Sequence, residues 1–411
     1  MLIATDDPFL TALALVELDG LARRVILLPP DLSLEHLPYV MQYAEVDTVI
    51  SDGHRLSGAS VGDARHALCT PTLVARGHAG EERLATEWIL LTSGTTGRPK
   101  IVPHTLASLT GAIAASEPQT EVIWGTFYDI RRYGGLQIFL RAVLTGSSLV
   151  LTRPQEPLAS FLQRAGEAGV THISGTPSHW RRALMSPEAR CIAPRYVRLS
   201  GEIADQAILN SLRDFFPNAD ISHAFATTEA GVAFDVRDGQ SGFPVSVLTD
   251  TPGVDLKVVD STLRVRSSRT AERYLGENVP VLRDAEGFVD TGDVLELREG
   301  RYYFQGRRDG VINVGGLKVH PEEVEAVLNG HPQVRLSLVK TKKSPITGAL
   351  VVADVLLQAP ATPVGAEARE LAQVLTRYCR DSLAPYKVPA AINFVPKLDV
   401  SETGKLVRRH A

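Results

Sequence analysis

Between Leu91 and Lys100 the chain reads LTSGTTGRPK, which gathers the hydroxyls of Thr92, Ser93, Thr95 and Thr96, two glycines (Gly94 and Gly97) and the Lys100 ammonium into one short loop. Glycine lets a backbone bend and approach an anion closely, hydroxyls donate hydrogen bonds to it, and lysine adds charge. The loop is therefore suited to holding phosphate. Its order is not that of the common nucleotide-triphosphate loop, because Arg98 and Pro99 separate the second glycine from the lysine and Ile101 follows it. Taken alone, the same residues also suit a plain Gly/Thr-rich turn.

The elements that must carry this loop read as α/β. From Phe9 to Asp52 a helix-like FLTALALVELDGLA, a strand-like RRVILL, a break at Pro29 and Pro30, a helix-like LEHLPYVMQYA and a strand-like DTVIS alternate. The theme returns at Ser147 to Thr152, in EPLASFLQRAGEAG, at Thr171 to Gly175 and at Tyr196 to Gly201. From about Asp255 the pattern changes to short alternating strands with polar turns, DLKVVD, TLRVRS, GFVDTGDVLELREG and RYYFQG, which predict a β-rich subdomain. The glycine-bearing stretch DGVINVGG from Asp309 to Gly316 marks a boundary, giving a large domain over 1–308 and a small α+β domain over 309–411. The small domain mixes the helix-like PEEVEAVLNG, strands such as ALVVADVLL and a long helix-like AEARELAQVLTRYCRDSL.

Composition narrows the function. With 411 residues, 44% hydrophobic and 22% charged, the chain suits two or more packed domains and argues against disorder. A net charge of −4 with scattered lysines and arginines offers no basic field for nucleic acid. Cys69, Cys191 and Cys379 form no CxxC pair, which fits a reducing cytoplasm, and eleven histidines include no HExxH ligand pair. No apolar run spans a bilayer, so a cytoplasmic protein without a membrane partner is expected.

Several motifs in order, SGTTGRPK, ATTE (Ala226 to Glu229), TGD (Thr291 to Asp293), GRRD (Gly306 to Asp309) and PKLDVSETGK (Pro396 to Lys405), resemble the adenylate-forming superfamily of acyl-CoA synthetases, peptide-synthetase adenylation domains and luciferases. The resemblance runs from about Phe9 to Lys405. It implies an α/β fold with a mobile small domain, and a reaction in which a carboxylate attacks the α-phosphate of ATP, forms an acyl- or aryl-adenylate and releases pyrophosphate. Transfer to the thiol of coenzyme A would follow; transfer to a phosphopantetheinyl acyl carrier protein is the alternative, and a catalytically silent binding protein a third reading.

By the same resemblance the loop from Thr92 to Lys100 wraps the β- and γ-phosphates. Glu229 holds Mg2+, an oxygen donor for a hard cation, and Thr228 lies on the α-phosphate. Phe225 stands where a tyrosine is usual and is expected to stack on adenine; Ala226 stands where glycine is usual. Ser200, Gly201 and Glu202 correspond to the segment along the adenine edge, although Glu202 also reads as a surface charge. Asp293 accepts from both ribose hydroxyls and Arg307 adds a second ribose contact. Asp309 is the hinge, about which Lys405 is brought to the α-phosphate for adenylation, and Gly315 and Gly316 are brought to the thiol channel for transfer.

Departures from the pattern carry their own expectations. In TFYDIRRYGGLQIFLRAVLTGSSLVL, the acid-binding stretch by resemblance, Arg131 stands where a ring is common; Arg131 and Arg132, with Tyr133 and Gly134 beside them, are expected to line the substrate pocket. A guanidinium there suits a second acidic group on the carboxylic acid, against the plainer reading of an arginine paired within the fold. Asp129 lies out of register for clamping an amino group, which disfavours an amino-acid substrate. The stretch before SGTTG is shorter than usual, so part of the first subdomain is expected to be missing, and Ile101 in place of glycine is expected to stiffen the loop exit.

Overall fold

A computed structural model describes residues 1–53, 55–56, 61–72, 83–92, 98–114, 118–344, 348–358 and 362–398. Its first sheet has the order Arg65–Leu68, Thr48–Ser51, Leu2–Ala4, Arg24–Leu27, Glu87–Thr92, Lys100–Thr105, parallel throughout except for the antiparallel last strand. Its inner strands are buried on both faces, which is why they read as unbroken apolar runs. Residues alternate between faces: Ile3, Val25, Leu27, Trp88 and Leu90 join one core, whereas Leu2, Ala4, Ile26, Leu28, Ile89 and Leu91 join the core on the other side.

The second sheet repeats this plan. Its order is Gly231–Val236, Asp220–Thr227, Tyr196–Ser200, His172–Gly175, Ile123–Thr126, Ser148–Val150, again parallel except for one antiparallel edge strand, Gly231–Val236. Helices are started by side-chain caps: Asp7 accepts from the Phe9 N–H ahead of Pro8–Leu18, Thr176 caps Pro177–Ala183, and Asp205 caps Gln206–Phe215. The helix Tyr133–Leu144 is shared by both sheets. Tyr133, Leu136, Phe139 and Leu140 pack into the first sheet's core, whereas Ile138 and Ala142 pack against Trp124 of the second.

The expected β-rich subdomain is an antiparallel sheet of Phe243–Pro244, Arg301–Arg307, Val289–Arg298, Thr262–Ser267 and Val254–Val259. After it comes the hairpin Ile312–Val314 and Leu317–Val319, then the helix Pro321–Asn329, the antiparallel pair Val334–Ser344 and Gly348–Leu357, the helix Gly365–Ser382 and the strand Ala391–Phe394. From Ile312 to Leu383 these residues bury a core of their own. The fold is α/β with an added α+β unit, as the sequence pattern predicts. The pattern does not disclose Leu2–Ala4, a strand inside the first sheet, because three residues are too few to display a period. Among the described residues no helix is long and apolar enough to cross a membrane.

Candidate functional site

The last two strands of each large sheet form a hairpin, and the two hairpins meet. In the first sheet Thr92 pairs with Lys100, so the Lys100 side chain leaves the sheet beside the start of the loop. Ser93, Gly94, Thr95, Thr96 and Gly97 lie outside the described residues, as does Lys405. The Thr92 hydroxyl is buried with no partner among the described residues. Ile101 is wholly buried in the sheet's core, a reason for its apolar character that the sequence does not disclose.

In the second sheet the turn between Asp220–Thr227 and Gly231–Val236 carries Thr228 and Glu229. The Ala230 N–H donates to the Thr227 hydroxyl at 2.9 Å, and Gly231 turns the chain at φ +76°, where a Cβ would lie 2.7 Å from the Arg269 carbonyl oxygen. Only glycine fits both demands.

Two contacts join the hairpins. His104 of the first donates from Nε2 to the Thr228 carbonyl of the second at 2.7 Å, with the Ser108 hydroxyl 3.1 Å from its Nδ1. Since a carbonyl only accepts, the proton sits on Nε2. Burial holds the ring neutral, pushing its pKa from the ordinary 6.5 down to about 4 against the opposing pull of the Thr228 bond. The second contact is Tyr274, whose hydroxyl lies 3.2 Å from Glu229 Oε1 and whose ring centre lies 5.2 Å from the Lys100 ammonium. The segment bearing it is pinned on both sides, by Ala271 N–H on the Glu229 carbonyl at 2.8 Å and Leu275 N–H on the Ile101 carbonyl at 2.9 Å. Sequence reading singles out neither His104 nor Tyr274.

The neutral state of His104 has a measurable consequence. The unfolded chain takes up a proton at this histidine near pH 6.5, the folded chain only near pH 4, so acid favours unfolding within that window. Buried His179, pushed down to about 3 by desolvation, acts in the same direction. Thermal midpoints are expected to fall as pH drops from 6.5 towards 4, with the His104 contribution on the order of 3 kcal/mol. A flat midpoint across that range, or one unaltered in slope by His104→Gln, contradicts the assignment.

Asp293 and Arg307 are cross-strand partners in the antiparallel sheet, so the pair expected on the ribose is brought together. The Asp293 N–H donates to the Thr291 hydroxyl at 3.1 Å and Arg307 Nη2 donates to the Thr291 carbonyl at 3.3 Å. Phe225 lies nearly parallel to Phe304, with centroids 5.1 Å apart and 9° between planes, and to Phe234 at 5.6 Å and 18°. Its plane is thus fixed by its neighbours. Ala226 is packed against the first core. Gly201 follows the strand Tyr196–Ser200 at φ +84°, directly after Ser200, whose carbonyl accepts the Tyr128 hydroxyl at 2.7 Å. Glu202 departs from the surface-charge reading: it is half-buried and accepts from the Ser178 N–H at 2.9 Å, where the positive end of the helix Pro177–Ala183 favours a carboxylate.

The two arginines expected in the substrate pocket take the plainer of their readings and pair within the fold. Arg131 is 3% exposed, gives Nε to Asp129 Oδ1 at 2.8 Å and Nη2 to Asp129 Oδ2 at 2.5 Å, and directs Nη1 to the Thr5 and Asp6 carbonyls. That guanidinium is paired within the fold, tying the segment that leads into the helix Tyr133–Leu144 to the residues just after the strand Leu2–Ala4. Arg132 likewise donates to the Asp31 carboxylate and to the Leu91 carbonyl. Tyr133 is buried behind His104, their ring centres 5.9 Å apart, and a Cβ on Gly134 would come within 3.3 Å of the Tyr128 ring. Arg131→Ala is expected to cost about 2–3 kcal/mol in denaturant unfolding, since it removes a buried guanidinium and leaves the half-buried Asp129 carboxylate without its ion-pair partner, and to leave the ranking of mono- and dicarboxylic acids unchanged. A selective loss of dicarboxylic acids in that variant would restore the pocket assignment.

Asp309 is exposed in the single turn Arg308–Gly310, next to the ion pair of Arg308 with Asp290 at 2.7 Å. Gly315 and Gly316 form the tip of the hairpin after it, at φ +59° and +90°, with the Gly316 N–H on Asn313 Oδ1 at 2.8 Å. A Cβ at either glycine would touch nothing within 4 Å, so the turn itself requires them. Glu229 offers carboxylate oxygen, and among the described residues no group of three or more His, Cys, Asp and Glu could hold a metal alone. This donor set fits a hard divalent cation that brings phosphate oxygens with it.

The family model described as AMP-binding enzyme matches residues 23–272, and that of the AMP-binding enzyme C-terminal domain matches residues 323–405. A 2-succinylbenzoate–CoA ligase of Salmonella typhimurium is 30% identical over 312 residues, 73% of this chain and 62% of the relative. The chain spans between 59% and 62% of the length of four curated relatives it matches. Among solved structures, an amide bond synthetase from Marinactinospora thermotolerans superposes with a TM-score of 0.81 at 18% identity, covering 98% of this chain and 87% of that one. An o-succinylbenzoate CoA synthetase from Bacillus subtilis, in complex with its acyl-adenylate intermediate, gives 0.76 at 20% identity, covering 99% and 86%.

Proposed function

This chain belongs to the AMP-binding enzymes, and on that premise we propose that it activates a carboxylic acid with ATP and passes the acyl group to the thiol of coenzyme A. The observation that carries the reading is the meeting of Lys100 and Glu229 on Tyr274, which brings an ammonium suited to phosphate and a carboxylate suited to a cation onto one side chain. The acid's carboxylate oxygen attacks the α-phosphorus, the bond to pyrophosphate breaks, and an acyl-adenylate results. The thiol then attacks the acyl carbon and AMP leaves. Charge building on the α-phosphoryl oxygens and on pyrophosphate is what the protein must neutralise.

Lys100 and the loop from Thr92 take the β- and γ-phosphates, and Thr228 donates at the α-phosphate. Mg2+, when bound, is held by Glu229 and offsets phosphate charge. Asp293 and Arg307 hold the ribose, and adenine extends the aromatic stack of Phe225 beside the turn at Gly201. Asp309 is the hinge between a large domain over 1–308 and a small one over 309–411, which presents Lys405 in the first step and the Gly315 and Gly316 turn in the second.

Coenzyme A is the acceptor in this reading because the relative of Salmonella typhimurium is named as a CoA ligase. Its named acid, 2-succinylbenzoate, makes aryl and dicarboxylic acids the first to try. Pyrophosphate release across aryl, fatty, dicarboxylic and amino acids tests the first step, and parallel transfer assays with coenzyme A and with a phosphopantetheinyl carrier protein test the second. Folded protein that releases no pyrophosphate with any acid refutes the reading; transfer to the carrier alone refutes the acceptor.

A further inference from the structure

The residues from Arg269 to Leu275 cross between the two hairpins. Arg269 Nη1 donates to the Val232 carbonyl at 3.0 Å, and the chain is held from behind by Arg283, whose Nε and Nη2 donate to the Ala271 and Thr270 carbonyls at 2.9 and 2.7 Å. Tyr274 is the residue of this crossing that reaches the site, where its hydroxyl meets Glu229 and its ring meets Lys100. We propose that Tyr274 is a positioning residue for adenylation: its hydroxyl aims the Glu229 carboxylate at the nucleotide-bound cation while its ring holds the Lys100 ammonium ready for phosphate. The inference rests on the adenylation reading above and adds to it a residue that acts through two others.

A neutral donor is the right chemistry for this task. A lysine or arginine bound to Glu229 would orient the carboxylate but also neutralise it, whereas a phenol fixes one oxygen and leaves the negative charge for a cation. The ring face, in turn, attracts an ammonium weakly enough to release it when phosphate arrives.

The test uses the full chain and a readout independent of turnover: Mn2+ titrated into protein carrying a non-hydrolysable ATP analogue, with free Mn2+ followed by electron paramagnetic resonance. Tyr274→Phe retains the ring and loses the hydroxyl. It is expected to keep the wild-type melting temperature and metal-free nucleotide affinity while Mn2+ affinity falls roughly tenfold. Tyr274→Leu is expected to weaken metal-free nucleotide binding as well, because Lys100 loses its ring. In a Glu229→Gln background, Tyr274→Phe should cause no further fall in Mn2+ affinity, whatever it does to the melting temperature. An unchanged Mn2+ midpoint in Tyr274→Phe, or an equal further fall in the Glu229→Gln background, overturns the positioning role. Wild-type protein that takes up no Mn2+ with the nucleotide overturns the adenylation reading instead, and this one with it.

Discussion

Glu229→Gln is expected to lower ATP–pyrophosphate exchange by about a hundredfold or more, with the fold unchanged. The substitution keeps size and shape and retains an oxygen that accepts from the Tyr274 hydroxyl, which now lies 3.2 Å from Glu229 Oε1. The turn survives because its other contacts do not use the Glu229 side chain: the Glu229 carbonyl accepts from the Ala271 N–H at 2.8 Å and the Thr228 carbonyl from the His104 ring at 2.7 Å. In the proposed scheme, what is lost is one negative charge where a cation is held while charge develops on the phosphates. Removing one such electrostatic contact at a transition state typically costs a factor of about 10² to 10³. Exchange within threefold of wild type at every Mg2+ concentration would remove Glu229 from the cation site.

Lys405→Ala is expected to be more severe in one half-reaction and nearly silent in the other. In the proposed scheme its ammonium lies between the attacking carboxylate and the α-phosphate, so adenylate formation should fall by about a thousandfold. In the same scheme the thiol step uses the other face of the small domain and does not need that charge. Transfer from a supplied acyl-adenylate should therefore proceed within a few-fold of wild type. Single-turnover assays of each step decide the matter, and an equal loss in both would refute a two-face cycle.

What the sequence discloses about this site depends on how local each contact is. The Gly/Thr loop, the ATTE turn and the TGD turn each gather their polar groups within a few consecutive residues, so type and spacing are enough to nominate them. Tyr274 sits in RTAERYLGENVP with no periodic or motif signal, and its role arises from a carboxylate 45 residues away and a lysine on another sheet. His104 is similar, since its carbonyl partner lies 124 residues along the chain. Arg131 is the opposite case: its charge is plain in the sequence, but its direction is set by the carbonyls of Thr5 and Asp6, just beyond the strand Leu2–Ala4 inside the first sheet. Asp129, two residues before it, was the available local sign that this guanidinium has a partner.

The sheets themselves were readable because fully buried parallel strands must be apolar on both faces, and the alternation with helices leaves few ways to arrange them. The pairing of hairpins was not. Which edge strand meets which is decided by packing between layers, and no single strand's pattern contains it.

The helix Tyr133–Leu144 shared by the two sheets gives the molecule a thickness gauge. Lys100 hangs from one sheet and Glu229 from the other, so the reach between them is governed by the girth of the side chains that hold the sheets apart. A methylene added at Ala142, where the helix packs on Trp124, is expected to widen the gap that Tyr274 spans. Divergence among related chains in this filling would then retune the grip on ATP without altering a single residue that touches it.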